Sequence, residues 1–216
     1  MKARANEDAT VRHRGRRSTC LASAGIAWVV AVGSGFSLLE GRAATPGGVA
    51  APPRRWPEGS RLVPDRSRAN LVLLAHPRRP CTRATLAELG RVLAGCQGTV
   101  AAHVMSPRPG GAGVAREEAD LRRAAVAIPG VRARADEAGA DAARFGAVTS
   151  GHALLDDPAG APLDGGGITA AQGRAGDNPG RDAVTSPLGR GRADRGTMPV
   201  FGCPLSAPAD EPTRDL

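Results

Sequence analysis

The apolar run NLVLLA, residues 70–75, is followed within six residues by TRATLAELGRVLAG, residues 82–95. A continuous apolar run predicts a buried strand. Leu86, Leu89, Val92 and Leu93 then recur at helical spacing, so the strand feeds an amphipathic helix. Thr85 and Glu88 have the spacing of a capping box, with Thr82 as the other candidate cap, and Gly95 suits the helix stop. The alternation continues. TVAAHVM (99–105) reads as a second strand and SPRPGGAG (106–113) as a loop. AREEADLRRAAVAI (115–128) reads as a helix with its acids early and its arginines late, as the helix dipole favours. VRARA (131–135) is a third strand and DEAGADAARFG (136–146) a short helix. HALLD (152–156) and APL (161–163) flank DPAG, which predicts a hairpin, with Asp156 and Asp157 as turn formers. GGG (165–167) reads as a turn and lacks the GKS/T of a phosphate cradle. NPGRDAVTSPLG (178–189) holds a last short helix confined by Pro179 and Pro187, capped by Asp177 or Asn178. The tail beyond Leu188 is turn-rich except around VFGC (200–203).

A core for this chain must come from Ala, Val and Leu, because aromatics are 2% of the residues and tyrosine is absent. These side chains bury less area each, so the expected core is modest. The net charge of +8 is carried by arginines, Lys2 being the only lysine. They are scattered and interleaved with acids, as in AREEADLRR. A nucleic-acid binder combines a clustered basic face with stacking aromatics, so this pattern argues against one.

Residues 21–39, LASAGIAWVVAVGSGFSLL, carry no charge and follow RHRGRR. About 19 residues suffice to span the hydrocarbon core of a bilayer, and upstream arginines stay cytoplasmic. The expected organisation is a basic cytoplasmic N-terminus (1–18), a transmembrane signal anchor (19–39) and a flexible Pro/Gly/Arg-rich linker without a core of its own (40–68). An α/β domain (69–190) and a loose tail containing VFGC (191–216) follow. The expected location is the cytoplasmic membrane, single-pass, with the C-terminal domain extracytoplasmic. Two alternatives remain open: a signal peptide cleaved near GRAA (41–44), and a buried helix interrupted at Gly33-Ser34-Gly35. Cys20 precedes the apolar run, which is the wrong side for lipidation.

Strand–helix–strand followed by a hairpin is the thioredoxin arrangement. The segments HPRRPCTRATLAELGRVL, RFGAVTSGHALLDDPAG, GGITAAQGRAGDNPGRDAV and PVFGCPL, in this order after an N-terminal anchor, resemble a bacterial family of thioredoxin-like membrane-anchored proteins. Some members of it carry the label RedB. The resemblance covers roughly residues 56–205 and implies a thioredoxin-like fold, a central sheet flanked by helices, facing outward from the membrane. The family pattern HPxCPCTR is matched at His76, Pro77, Pro80, Cys81, Thr82 and Arg83, whereas Arg79 stands in place of the first cysteine. VTSG (148–151) stands where thioredoxins usually place a proline.

Cys81 is the candidate nucleophile. A helix start and the arginines at 78, 79 and 83 favour thiolate over thiol, so a lowered pKa is expected. The alternative is a small residue packed at the strand end. Cys96 lies roughly 20 Å further along the predicted helix at 1.5 Å per residue, beyond the reach of a disulfide. Cys203 matches the family's VFGCPL segment, and the resemblance makes it the candidate resolving thiol, returned to the sheet edge. Cys81 and Cys203 are thus the expected catalytic residues of a thiol-redox role, impaired by Arg79, acting without a cofactor on an unidentified protein thiol or disulfide. The alternative is a non-catalytic thioredoxin-fold module that binds a partner protein or copper, with His76, Cys81 and Cys203 as ligands. No CxxC or HxxxH spacing supports a metal site.

Overall fold

The structure is a computed structural model. It describes residues 2–77, 79, 81–108, 115–190 and 198–205, which divide into two units after Arg42. In the first unit, helix α1 (Lys2–Ala43) runs without interruption through Gly33-Ser34-Gly35. Its stretch Ser23–Ala43 has a mean hydropathy of 1.4 and is the one helix, among the described residues, long and apolar enough to cross a membrane. Ile26, Trp28, Val29, Phe36 and Leu38 are all exposed.

The second unit is built on a five-stranded sheet. In chain order its elements are β1 (Ala69–Leu74), α2 (Cys81–Gly95), β2 (Val100–Arg108), α3 (Ala115–Val126) and β3 (Val131–Glu137), followed by α4 (Ala140–Arg144), β4 (His152–Asp156), β5 (Pro162–Gly167) and α5 (Pro179–Arg190). The strand order is β3-β2-β1-β4-β5. β1, β2 and β3 are parallel, and β4 and β5 antiparallel, with Leu74 paired to both Met105 and His152. Both crossovers step in the same direction from β1, so connections of one hand place α2 and α3 on one face. There Leu86, Leu89 and Val92 of α2, Leu121 of α3 and Val184 of α5 pack on Leu71, Leu73, Val104 and Leu155. The connection from β3 to β4 crosses to the other face, where Ala142 and Phe145 cover Val72, Leu74, Met105 and Leu154. This is the thioredoxin-like fold the sequence predicts. β1 is buried at every position, as a strand covered on both faces must be.

Several local expectations are corrected. Residues 44–68 contain no regular element, yet they are not a free linker. Leu62 is buried in the second cluster, and the Trp56 ring stands edge-on to Phe145 at 5.1 Å. Trp56 also donates from its indole to the Leu62 carbonyl (3.1 Å) and from its backbone to the Gly160 carbonyl (2.8 Å). In a core with few aromatics, one tryptophan beside one phenylalanine is enough to hold this segment down. GGG is not a turn but the end of β5. A side chain at Gly167 would drive its Cβ into the Pro199 carbonyl oxygen, so only glycine lets the tail cross here. The capping box is also absent, because α2 begins at Cys81 and Glu88 lies in its middle. β3 continues to Glu137, and Asp136 then accepts the backbone N–H groups of Asp141 and Ala142 (both 2.8 Å), which starts α4. Asn178 caps α5 by accepting the Arg181 N–H (2.8 Å), and Pro187 lies within that helix rather than ending it. Asp157 is the turn former, its carboxylate accepting the Ala161 N–H (2.8 Å), whereas Asp156 belongs to β4. Residues 109–113 of the expected loop, and 191–197 and 206–216 of the expected tail, lie outside the described residues.

Asp156 makes stability depend on pH. Burial, and then the neighbouring Asp157, pushes its carboxyl up to about 7. In the unfolded chain such a group ionises near 4. Between those limits the folded protein holds a proton that the unfolded chain has released, so this contribution is lost as pH rises from about 4 to about 7. His103 and His152 act in the opposite sense: burial lowers each to about 4, so their contributions fall as pH drops below about 6.5. Comparing variants cancels the histidines. Asp156→Asn should match the native protein near pH 4 and exceed it at pH 8 by roughly 2–4 kcal/mol in urea unfolding. Coincident unfolding curves at pH 8 would refute the assignment.

Candidate functional site

The site lies beyond the carboxyl end of β1, where open α/β sheets place their crevices. Three local interactions shape the turn into α2. The Ala75 N–H donates to the Met105 carbonyl (2.9 Å), and the His76 N–H donates to Ser150 Oγ (2.9 Å). The Thr82 hydroxyl reaches back to the His76 carbonyl (2.7 Å), and its N–H bonds the Arg79 carbonyl (3.1 Å). Cys81 is therefore the first helical residue, one position ahead of the start expected at Thr82, with Thr85 Oγ1 donating to its carbonyl (3.2 Å).

The chain returns to this point 122 residues later. Thr149 and Pro204 form an antiparallel bridge, Ser150 N–H donates to the Cys203 carbonyl (2.8 Å), and Leu205 N–H donates to the Val148 carbonyl (2.9 Å). VTSG, which lacks the proline usual in thioredoxins, thus serves as the docking edge for VFGCPL. Gly202 is required there, since a Cβ on it would collide with the Ser150 carbonyl oxygen. The segment after α1 passes behind the returned tail: Gly47 N–H donates to the Val200 carbonyl (2.8 Å), and Thr149 Oγ1 donates to the Gly48 carbonyl (2.7 Å).

The result is a thiol pair. The Sγ atoms of Cys81 and Cys203 lie 3.9 Å apart, and both cysteines are free. A disulfide needs about 2.05 Å, so the two sulfurs are in contact and lie roughly 2 Å short of a bond, a gap within reach of side-chain rotation. Gln172 completes the site, its amide Nε2 donating to Cys203 Sγ at 2.7 Å. Its own backbone N–H bonds the Ala43 carbonyl (2.9 Å). The loop that carries it is tied to α2 by Glu88, whose carboxylate is fully buried. Glu88 accepts from the Gly176 N–H (2.6 Å) and Arg181 Nη1 (3.3 Å), and is also paired with Arg91.

The electrostatics differ from the sequence expectation. Cys81 is only 4% exposed, and burial pushes its thiol up from the ordinary value, with the adjacent Cys203 thiol adding to the rise. The expected lowering by a helix start and arginines is outweighed by desolvation of the anion. Arg79 and Arg83 point into solvent, where their charge is screened, and Arg78 and Pro80 lie outside the described residues. Cys96 stands at the far end of α2, packed against the core, with its thiol also raised by burial. Among the described residues no group of three His, Cys, Asp or Glu side chains gathers to hold a metal ion, so His76, Cys81 and Cys203 do not form the three-ligand copper site held open above. Sequence reasoning missed Gln172 and Ser150. Their only signal was membership in the segments GGITAAQGRAGDNPG and VTSG.

No protein-family model matches the chain, and no curated protein does. Among solved structures, it is similar to a hypothetical protein from Sinorhizobium meliloti 1021, with a TM-score of 0.54 and 21% identity, over 76% of this chain and 96% of that one. It is also similar to an uncharacterized conserved protein from Geobacillus kaustophilus, with a TM-score of 0.54 and 15% identity, over 78% of this chain and 95% of that one. A secreted disulfide oxidoreductase of Mycobacterium tuberculosis matches with a TM-score of 0.41 and 12% identity, over 56% of this chain and 81% of that one. The first two are likenesses of fold that extend over nearly the whole length of those chains.

Proposed function

We propose that this protein is a membrane-anchored, extracytoplasmic thiol–disulfide exchange protein of the RedB-labelled type, with Cys81 and Cys203 as its catalytic pair. The observation that carries the proposal is the 3.9 Å separation of two free thiols brought together from distant parts of the chain. A reduced pair in contact can pass two electrons to a disulfide and become a disulfide itself, with no cofactor. Arg79, exposed beside the helix start, replaces a local partner cysteine that Cys203 makes unnecessary. The partner class is a protein thiol or disulfide. Anchoring is supported by the exposed apolar face of α1 and by RHRGRR on its N-terminal side, which holds that end in the cytoplasm.

Two measurements test this reading. Alkaline phosphatase fused to the C-terminus in a bacterial host should be active, since that enzyme matures only outside the cytoplasm. An inactive fusion made in normal amounts overturns the location. The full chain in detergent should reduce insulin disulfides, and Cys81→Ser combined with Cys203→Ser should abolish turnover. Equal turnover by both proteins, or none by the native chain, favours the non-catalytic module.

A further inference from the structure

We propose that Cys203, not Cys81, is the attacking thiol of the pair, and that Gln172 stabilises its thiolate. This rests on the exchange reading above. A substrate disulfide must approach the attacking sulfur from solvent, in line with its own S–S bond. Cys81 is 4% exposed, beneath the returned tail, whereas Cys203 is half-buried and sits on that tail. Cys203 has a side-chain amide donor on its sulfur, the Gln172 Nε2 at 2.7 Å. A donor to the charged form favours that form. Gln172 is not free to drift, because its backbone is bonded to Ala43 and Ala171 bridges Arg174 around it. The burial that raises the Cys81 thiol keeps it protonated during the first attack. It then suits Cys81 to the second step, since a more basic thiolate is intrinsically the stronger nucleophile.

The sequence balances. Cys203 loses its proton to solvent, and its thiolate attacks one sulfur of a substrate disulfide. A Cys203–substrate bond forms, the substrate S–S bond breaks, and the departing thiolate takes up a proton. Cys81 then gives its proton to solvent and attacks Cys203 Sγ. The Cys81–Cys203 bond forms and the second substrate thiolate leaves. Two electrons pass from the protein dithiol to the substrate disulfide, and a dithiol reductant restores the pair.

The test uses the full chain in detergent and an aromatic disulfide that releases a coloured thiolate. Cys81→Ser should stop after the first attack, accumulating a stable mixed-disulfide adduct mapped to Cys203 without closing the pair. Cys203→Ser should react roughly tenfold slower or less, its residual adduct on Cys81. Gln172→Ala should slow alkylation of Cys203 at fixed pH several-fold, and Gln172→Glu further, with Cys96 alkylation in the same sample unchanged. If Cys203→Ser keeps the native rate with the adduct on Cys81, the roles are reversed and the inference fails, although exchange by the pair stands. If neither thiol reacts faster than Cys96, the exchange reading itself fails. An unchanged Cys203 alkylation rate in both Gln172 variants shows that Gln172 has no part in the attack.

Discussion

Oxidation of the pair is expected to stabilise the protein by about 4–5 kcal/mol in the chain-entropy account of a crosslink, because Cys81 and Cys203 are separated by 122 residues. Most of the domain lies inside that loop, so the crosslink removes much of the freedom of the unfolded chain. For a domain of this size the shift amounts to roughly 8–20 °C in melting temperature. Calorimetry of the reduced and oxidised full chain in detergent measures it, with Cys203→Ser as the control that should not respond to oxidant. Equal melting temperatures for the two native samples would mean that the thiols do not close the loop, or close it with compensating strain.

The second large effect is expected at Glu88. Its carboxylate is fully buried, binds the Gly176 N–H, and meets the guanidinium groups of Arg181 and Arg91. Glu88→Ala leaves the Gly176 N–H without its acceptor and Arg181 with Asp177 as its remaining carboxylate partner. Breaking a buried pair from one side costs about 3–5 kcal/mol. The Arg181 side chain is 22% exposed and can be partly rehydrated, so the lower end is expected. Glu88→Gln keeps an acceptor for Gly176 and should cost less. Urea unfolding decides, and a loss under about 1 kcal/mol would show that Glu88 is not the anchor of the Gln172 loop. Glu88→Ala should also loosen the Gln172–Cys203 contact, visible as slower alkylation of Cys203 with that of Cys96 unchanged.

What was legible in the sequence follows what is local. The strand NLVLLA, the helix behind it and the placement of Cys81 at their junction depend on period and on a few neighbours. So do the hairpin around DPAG and the Asn178 cap. What was not legible depends on parts distant in sequence. Glu88 reads as a capping residue because Thr85-x-x-Glu88 has that spacing, but the hydroxyl of Thr82 and the carbonyl of Arg79 start the helix four residues earlier. Gly165–Gly167 reads as a turn because glycine weakens strands, yet here it admits the backbone of Pro199. Trp56 and Leu62 stand in a Pro/Gly-rich run with no period, and their partner Phe145 is far along the chain. The thiol of Cys81 is the sharpest case. Its helix position and nearby arginines are readable and favour the anion, whereas the tail that buries it comes from residues 200–205. Desolvation depends on that contact and reverses the sign.

Cys81 and Cys203 are proposed to form one redox pair. Oxidised full chain, alkylated, digested and mapped by mass spectrometry, tests it most directly. The expected product is a Cys81–Cys203 crosslink that disappears on mild reduction, with Cys96 recovered as an alkylated free thiol. A Cys81–Cys96 crosslink would contradict it, since α2 keeps those residues at opposite ends. So would recovery of Cys81 and Cys203 as free thiols after oxidant that forms disulfides readily between thiols in contact.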